Sequence, residues 1–133
     1  MTLYVDSSAL LKRYVDEHDS DAAAEFMATD PMLVTSRITE VEVRRNLSRL
    51  LSATALGSAR RQFTVDLDAF ALMSIDAVIC NDAARIAEQT LCRSLDALHV
   101  ASALRAGAST VLLTFDIRQA RTARAMGLSV VGC

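Results

Sequence analysis

Two short apolar runs, each closed by an aspartate that leads into a helical pattern, constrain this chain more than any other feature. The first is L-Y-V at 3–5 before Asp6, and the second is T-V-L-L-T-F at 110–115 before Asp116. The second is a continuous apolar run of the kind a strand buried in a parallel sheet shows. Around these runs the pattern alternates. Ser7 is the expected N-cap of a helix carrying Ala9, Leu10, Lys12, Arg13 and Tyr14. A helix over 19–28 follows, with Pro31 in the turn after it, then a brief strand over 33–35. Ile38, Val41, Leu47, Leu50 and Leu51 fall at helical spacing and predict a long helix over 38–55. A helix over 58–70 and a strand over 71–75 come next. The second half predicts alanine-rich helices over 77–91 and 94–106, with Gly107 at the C′ position of the latter. The 110–116 strand, a helix over 117–126 stopped by Gly127, and a strand over 128–131 complete the chain. Strands alternating with helices need crossover connections. The expected fold class is therefore α/β: a central, mainly parallel sheet of four to five strands with helices on both faces.

Composition limits the partners and the compartment. A chain of 133 residues, 52% hydrophobic with four glycines and one proline, suits one domain with a real core and excludes disorder or a linker-rich layout. Fourteen basic residues stand against 16 acidic ones, and a net charge of −2 does not advertise a nucleic-acid partner. Lys12 is the only lysine; the other 13 basic residues are arginines, whose planar fork suits carboxylates and phosphates. Cys80, Cys92 and Cys133 cannot all pair within one chain and form no CxxC, which points to a reducing interior. Asp6 interrupts the first apolar run, so no signal peptide is expected, and no stretch approaches the roughly 18 apolar residues that cross a bilayer. A soluble, cytoplasmic protein without a membrane partner is the expectation.

The acidic residues carry the chemistry. Asp6 and Asp116 both end a strand just before a helix, the edge at which open parallel sheets bind ligands. Asp96 lies near the start of a helix, and Glu40 and Glu42 in the first turns of another. Each has an ordinary structural role open to it: a cap or turn for the strand-end aspartates, macrodipole complementarity for Asp96, an i,i+4 pair with Arg44 for Glu40. Carboxylates gathered in one place stay ionised only if a cation, arginines or protons offset them. An all-oxygen set suits Mg²⁺ or Mn²⁺, and no Cys/His set exists for zinc.

The segments around these acids resemble the PIN-domain ribonucleases, in particular the VapC-like toxins of bacterial toxin–antitoxin pairs. The resemblance rests on YVDSSALLKRY (4–14), TSRITEVEV (35–43), RSLDALHVASAL (93–104) and VLLTFDIRQARTARAMGLSVV (111–131), in the family's order and spacing. It implies a single PIN-like domain over 1–133, and it places the family's acidic site on Asp6, Glu42, Asp96 and Asp116. The family pattern S-x-L-T-x-x-E-hydrophobic fits Ser36, Ile38, Thr39, Glu42 and Val43, leaving Glu40 at a variable position. Two residues on a helix are about 200° apart, so only one of the two glutamates faces the site. Ser8 matches a hydroxyl position that helps hold the family's site together, and Thr114 is a candidate for the same role. Gln119 stands where other PIN proteins add a further acid, which leaves four acids and puts a second metal in doubt.

The resemblance further implies Mg²⁺- or Mn²⁺-dependent hydrolysis of RNA phosphodiesters, a cognate antitoxin whose arginine enters the acidic pocket, and a homodimer. His99, three residues after Asp96, reads as a structural or supporting group rather than a base. Arg44, Arg45 and Arg49, with Arg118, Arg121 and Arg124, are open to RNA phosphate, a partner or solvent. Leu10, Leu11 and Tyr14 are open to core or dimer surface. A non-catalytic RNA-binding module and a structure-selective DNase are the rivals. A phosphoaspartate receiver fits poorly, because it needs a lysine after a late strand and Lys12 lies in the first helix.

Overall fold

The computed structural model describes residues 2–29 and 32–133, so the turn expected at Pro31 lies outside the described residues. Five strands form one sheet: β1 (Thr2–Val5), β2 (Leu33–Ser36), β3 (Ala71–Met73), β4 (Thr110–Leu113) and β5 (Ser129–Val131). All neighbours are parallel, in the order β3-β2-β1-β4-β5. Seven helices connect them: α1 (Ser7–Leu11), α2 (Ser20–Thr29), α3 (Arg37–Leu50), α4 (Ala53–Asp68), α5 (Ala77–Thr90), α6 (Ser94–Arg105) and α7 (Ile117–Ala125). The expected sheet of four to five mainly parallel strands is thus present as five, all parallel.

The strand pleat sorts the helices into two layers. Leu3, Val5 and Leu113 face one side, where Leu10, Met27, Val43, Leu47, Phe63 and Leu67 bring α1 to α4 against the sheet. Tyr4, Val34 and Leu112 face the other, against Ile79, Ile86, Val100 and Ala123 of α5, α6 and α7. Right-handed crossovers explain the division. The chain steps from β1 to β2 to β3 in one direction, then from β3 back to β4 and on to β5 in the other, so its helices change face. The reversal leaves β1 and β4 adjacent with their connections leaving in opposite directions, which opens a crevice at their carboxyl ends. Val5 pairs with Leu113, so Asp6 and Thr114 emerge side by side. Asp6 N–H also bonds the Leu113 carbonyl at 3.2 Å.

Several local readings are corrected. Asp6, not Ser7, caps α1, its carboxylate accepting from Ala9 N–H, and the helix gives way after Leu11 to i→i+3 turns as far as Tyr14. The helix expected over 38–55 ends at Leu50, and Leu51 and Ser52 are extended. The break turns α4 back so that Leu56, Phe63 and Leu67 reach the core, which a straight continuation would carry past the sheet. The buried stripe of α3 is Thr39, Val43 and Leu47, one residue every four, while Val41 and Leu50 are exposed. Leu10 and Leu11 are core, and Tyr14 packs against it with its hydroxyl on Asp66 Oδ2 at 2.7 Å. Gly127 ends α7 as expected: its N–H bonds Arg124 and that of Leu128 bonds Ala123, a Schellman closure at φ +87°. The three cysteines are free thiols, and among the described residues no helix is long and apolar enough to cross a membrane.

Two substitutions test this packing. Leu112→Ala, at a fully buried position on β4, is expected to lower unfolding free energy by about 2–5 kcal/mol in denaturant titration. Leu91 closes α5 in the left-handed region, φ 58°, with its side chain in water. Leu91→Gly removes a Cβ penalty there and is expected to raise stability by up to about 1 kcal/mol.

Candidate active site

The β1/β4 crevice holds a pocket of about 240 Å³ lined by all four acids the resemblance singled out, Asp6, Glu42, Asp96 and Asp116, together with Arg93 and Gln119. Each acid comes from a different element. Asp6 ends β1, Glu42 stands on the second turn of α3, Asp96 in the first turn of α6, and Asp116 caps α7. Both strand-end aspartates cap helices and also line the pocket. Asp116 Oδ1 accepts from the N–H groups of Arg118 and Gln119, at 2.9 and 3.3 Å, while its other oxygen accepts from Arg93 inside the pocket. Larger hollows of about 470 and 600 Å³ exist elsewhere, between α3 and α4 and beside α5, but neither gathers these carboxylates.

Asp6 is the best held. It is 1% exposed, and its oxygens accept from Ser8 Oγ at 2.8 and 2.9 Å, Ala9 N–H at 2.9 Å, Thr114 Oγ1 at 2.6 Å and Gln119 Nε2 at 2.8 Å. Ser8 and Thr114 spend their protons on Asp6 and accept in turn from the N–H groups of Phe115 and Asp116. Both hydroxyls named as supporting candidates thus lie against Asp6. Gln119, buried at the position where other PIN proteins add a further acid, is a hydrogen-bond donor to Asp6 rather than a fifth carboxylate. Nearby, Thr35 Oγ1 donates to the Val5 carbonyl at 2.6 Å and lies 2.7 Å from Thr39 Oγ1, which fastens α3 and β2 to the end of β1.

Glu42 faces the pocket as the family pattern implied. Glu40 faces away and pairs with Arg37 at 3.0 Å, not with Arg44. His99 explains how Glu42 is aimed. The Tyr4 hydroxyl lies 2.9 Å from His99 Nδ1, and His99 Nε2 lies 2.5 Å from Glu42 Oε1, so a buried chain runs from strand β1 through α6 to α3. Burial pushes the Tyr4 phenol far up, so it stays protonated where it meets Nδ1. Tyr4 was legible only as a strand residue, because its partner lies 95 positions away.

Sequence reasoning also passed over Arg93. Its Nε donates to Asp96 Oδ2 at 2.8 Å, and its Nη2 to Asp96 Oδ1 at 3.3 Å and Asp116 Oδ2 at 2.8 Å. The available signal was its place three residues ahead of Asp96. Partial burial raises the Asp116 carboxyl, but Arg93 and the α7 N–H groups outweigh it and hold that carboxyl below the usual range. The six arginines in the two sets noted from sequence are exposed, and Arg124 bonds the Cys133 carbonyl at 2.5 Å.

A divalent cation fits the donor set but not the side chains as they stand. Among the described residues, no three acidic, imidazole or thiol groups are placed to share one ion. Asp96 and Asp116 are turned to Arg93 and Glu42 to His99, so a guanidinium already occupies the place of positive charge between two of the acids. The oxygen chemistry and the clustering of four acids around one cleft suit Mg²⁺ or Mn²⁺.

Burial pushes the Asp6 carboxyl up, opposed by His99, Thr114, the Ala9 N–H and Ser8. An acid whose folded pKa is raised binds its proton more tightly folded than unfolded, so it costs stability as pH rises above the unfolded value of about 3.9. In chelator, Asp6→Asn is therefore expected to gain in Tm on the wild type between pH 5 and pH 8. A gain that shrank over that interval would contradict the burial argument.

The PIN domain family matches residues 3–125. Ribonuclease VapC35 of Mycobacterium tuberculosis is 40% identical over 97% of this chain and 95% of its own. Among solved structures, FitAcB from Neisseria gonorrhoeae superposes with a TM-score of 0.77 at 16% identity, covering 98% of this chain and 96% of its own. A toxin–antitoxin complex from Klebsiella pneumoniae gives 0.73 at 19% identity, over 99% and 97%. With a five-stranded parallel sheet, four acids at its switch point and a family match across nearly its whole length, the chain belongs to the PIN-domain family, among the relatives of the VapC ribonucleases.

Proposed function

We propose that this protein is an Mg²⁺- or Mn²⁺-dependent endoribonuclease toxin that hydrolyses RNA phosphodiester bonds and is neutralised by a cognate antitoxin. The observation that carries the reading is the convergence of Asp6, Glu42, Asp96 and Asp116 from four elements on one cleft. Its substrate class is supported by the 40% identity to a ribonuclease, and its partner by the likeness in fold to a toxin–antitoxin complex. An arginine from an antitoxin would meet the same carboxylates that Arg93 meets here. The homodimer that the resemblance implies belongs to the same reading, as does a cytoplasmic setting, which the three free thiols suit.

The side chains divide the work. Asp6, Glu42, Asp96 and Asp116 would hold the cation, which supplies positive charge for the phosphodiester oxygens and an activated water. Asp6 is fixed from behind by Ser8, Thr114 and Gln119, so it needs little reorganisation on loading. His99 orients Glu42 and is itself held by Tyr4. Asp116 is the most open of the four, with a side-chain exposure of 34%, and stands at the mouth where substrate arrives. The cation also resolves the charge balance: with four acids committed to it, 14 basic residues face 12 acidic ones.

Mapping of new 5′ ends on RNA incubated with Mn²⁺, Mg²⁺ or chelator tests this reading. Cleavage is expected only with metal, and Asp96→Asn should lower it by at least about 100-fold, since changes to groups behind metal ligands already cost about 10–100-fold. Cut DNA with intact RNA would favour the DNase instead, and metal binding without cleavage the non-catalytic module. His99→Ala should weaken Mn²⁺ binding by about 10–100-fold in calorimetry, and Tyr4→Phe by less, because Tyr4 reaches the site only through the imidazole.

A further inference from the structure

Arg93 has a connection to the cleft that a merely structural residue would not need. It stands in the three-residue link between α5 and α6, with its backbone extended just before the first residue of α6. Its guanidinium bonds both Asp96, which is buried, and Asp116, which is half-open, yet its own side chain is 53% exposed. The bonds run through Nε and Nη2; among the described residues Nη1 has no protein acceptor. The side chain is therefore anchored at one edge and free at the other.

Its surroundings give that free edge a use. Beside the acidic pocket lies a second, shallower hollow of about 500 Å³, which shares Ser8, Arg93 and Asp116 with it. Arg93 and Arg118 line this hollow with the Phe115 ring and the exposed Ile117, and Lys12 lines it paired with Glu17 at 3.8 Å. Lys12 Nζ sits over the Phe115 ring, 5.0 Å from its centroid. Cations beside an aromatic and an aliphatic side chain form a surface for the phosphate and base of a nucleotide. Arg93 is the cation on the wall common to both hollows.

We propose that Arg93 is a ligand of an RNA phosphate in this second hollow, and that without a divalent cation its guanidinium takes the cation's place on Asp96 and Asp116. The proposal rests on the cation-dependent ribonuclease reading above and adds to it a specific exchange. Cation and guanidinium compete for the same carboxylate oxygens, and loading releases Arg93 toward substrate. The chain thus carries its own counter-charge for an empty acidic site, and the same charge serves substrate when the site is filled.

Such a residue has two effects of opposite sign. Arg93→Gln removes the competitor, so Mn²⁺ binding measured by calorimetry should tighten by up to about 5-fold, the range for a partly exposed ion pair. At saturating Mn²⁺ the same variant should cleave RNA about 100-fold more slowly, as for loss of a charged donor to the reacting phosphate. Arg93→Lys keeps a charge without the fork and should lie between wild type and Arg93→Gln in both measurements. Unchanged or weaker Mn²⁺ binding by Arg93→Gln, with its thermal unfolding intact, overturns the exchange. Tighter binding with undiminished cleavage at saturating Mn²⁺ overturns the phosphate contact. Wild-type protein that takes up no Mn²⁺ overturns the underlying function, and the exchange with it, so the failures are distinguishable.

Discussion

Burying a carboxylate costs several kcal/mol unless protein donors replace the water it loses, and Asp6 is such a carboxylate at the centre of this fold. The way that demand is met shapes everything around it. Ala9 N–H and Ser8 come from α1, which starts there because Asp6 caps it. Thr114 comes from the end of β4, brought alongside by the Val5–Leu113 pairing, and Gln119 from the first turn of α7. The first six residues and the last twenty are thus tied through one side chain. A cap, a strand register and an acidic site are here the same set of bonds.

The remaining acids are held by side-chain nitrogens as well as by backbone N–H groups. Glu42 has an imidazole behind it, and Asp96 and Asp116 share a guanidinium. The side-chain nitrogens that restrain these acids sit on α6 or just ahead of it: Arg93 immediately precedes the helix, and the helix itself carries Asp96 and His99. That concentration explains why α6 is so deeply buried: seven of its residues, Asp96 and His99 among them, are out of solvent. A helix that carries both an acid and the groups that restrain acids must be held rigidly, and packing between the sheet and α5 holds it.

Reversal of chain direction does the rest. With order β3-β2-β1-β4-β5, the two strands that end in aspartate are neighbours and their following helices lie on opposite faces. The crevice between those helices is open because neither connection crosses it. Glu42 and Asp96 reach the same crevice from the helices on either side, α3 and α6. Four carboxylates remote in sequence meet without any of them leaving a regular element or its cap.

Much of this was legible before folding. Strand and helix types follow from apolar spacing, and Gly127 as a stop, the parallel α/β class and the four acids that line the cleft were all readable, the last through resemblance to a family. These are short-range properties, set within about four residues by periodicity and capping. The exceptions were local competitions settled by tertiary contacts. Asp6 displaced Ser7 as the cap because the carboxylate also had to satisfy β4's end, and α3 broke at Leu51 because Phe63 and Leu67 gain a core by turning back. What only the three-dimensional structure decided is who holds each acid. Tyr4 and His99 are 95 residues apart, His99 and Glu42 57, Arg93 and Asp116 23. Hydrogen bonds of that range depend on how two helical layers settle on one sheet, and no spacing along the chain encodes that.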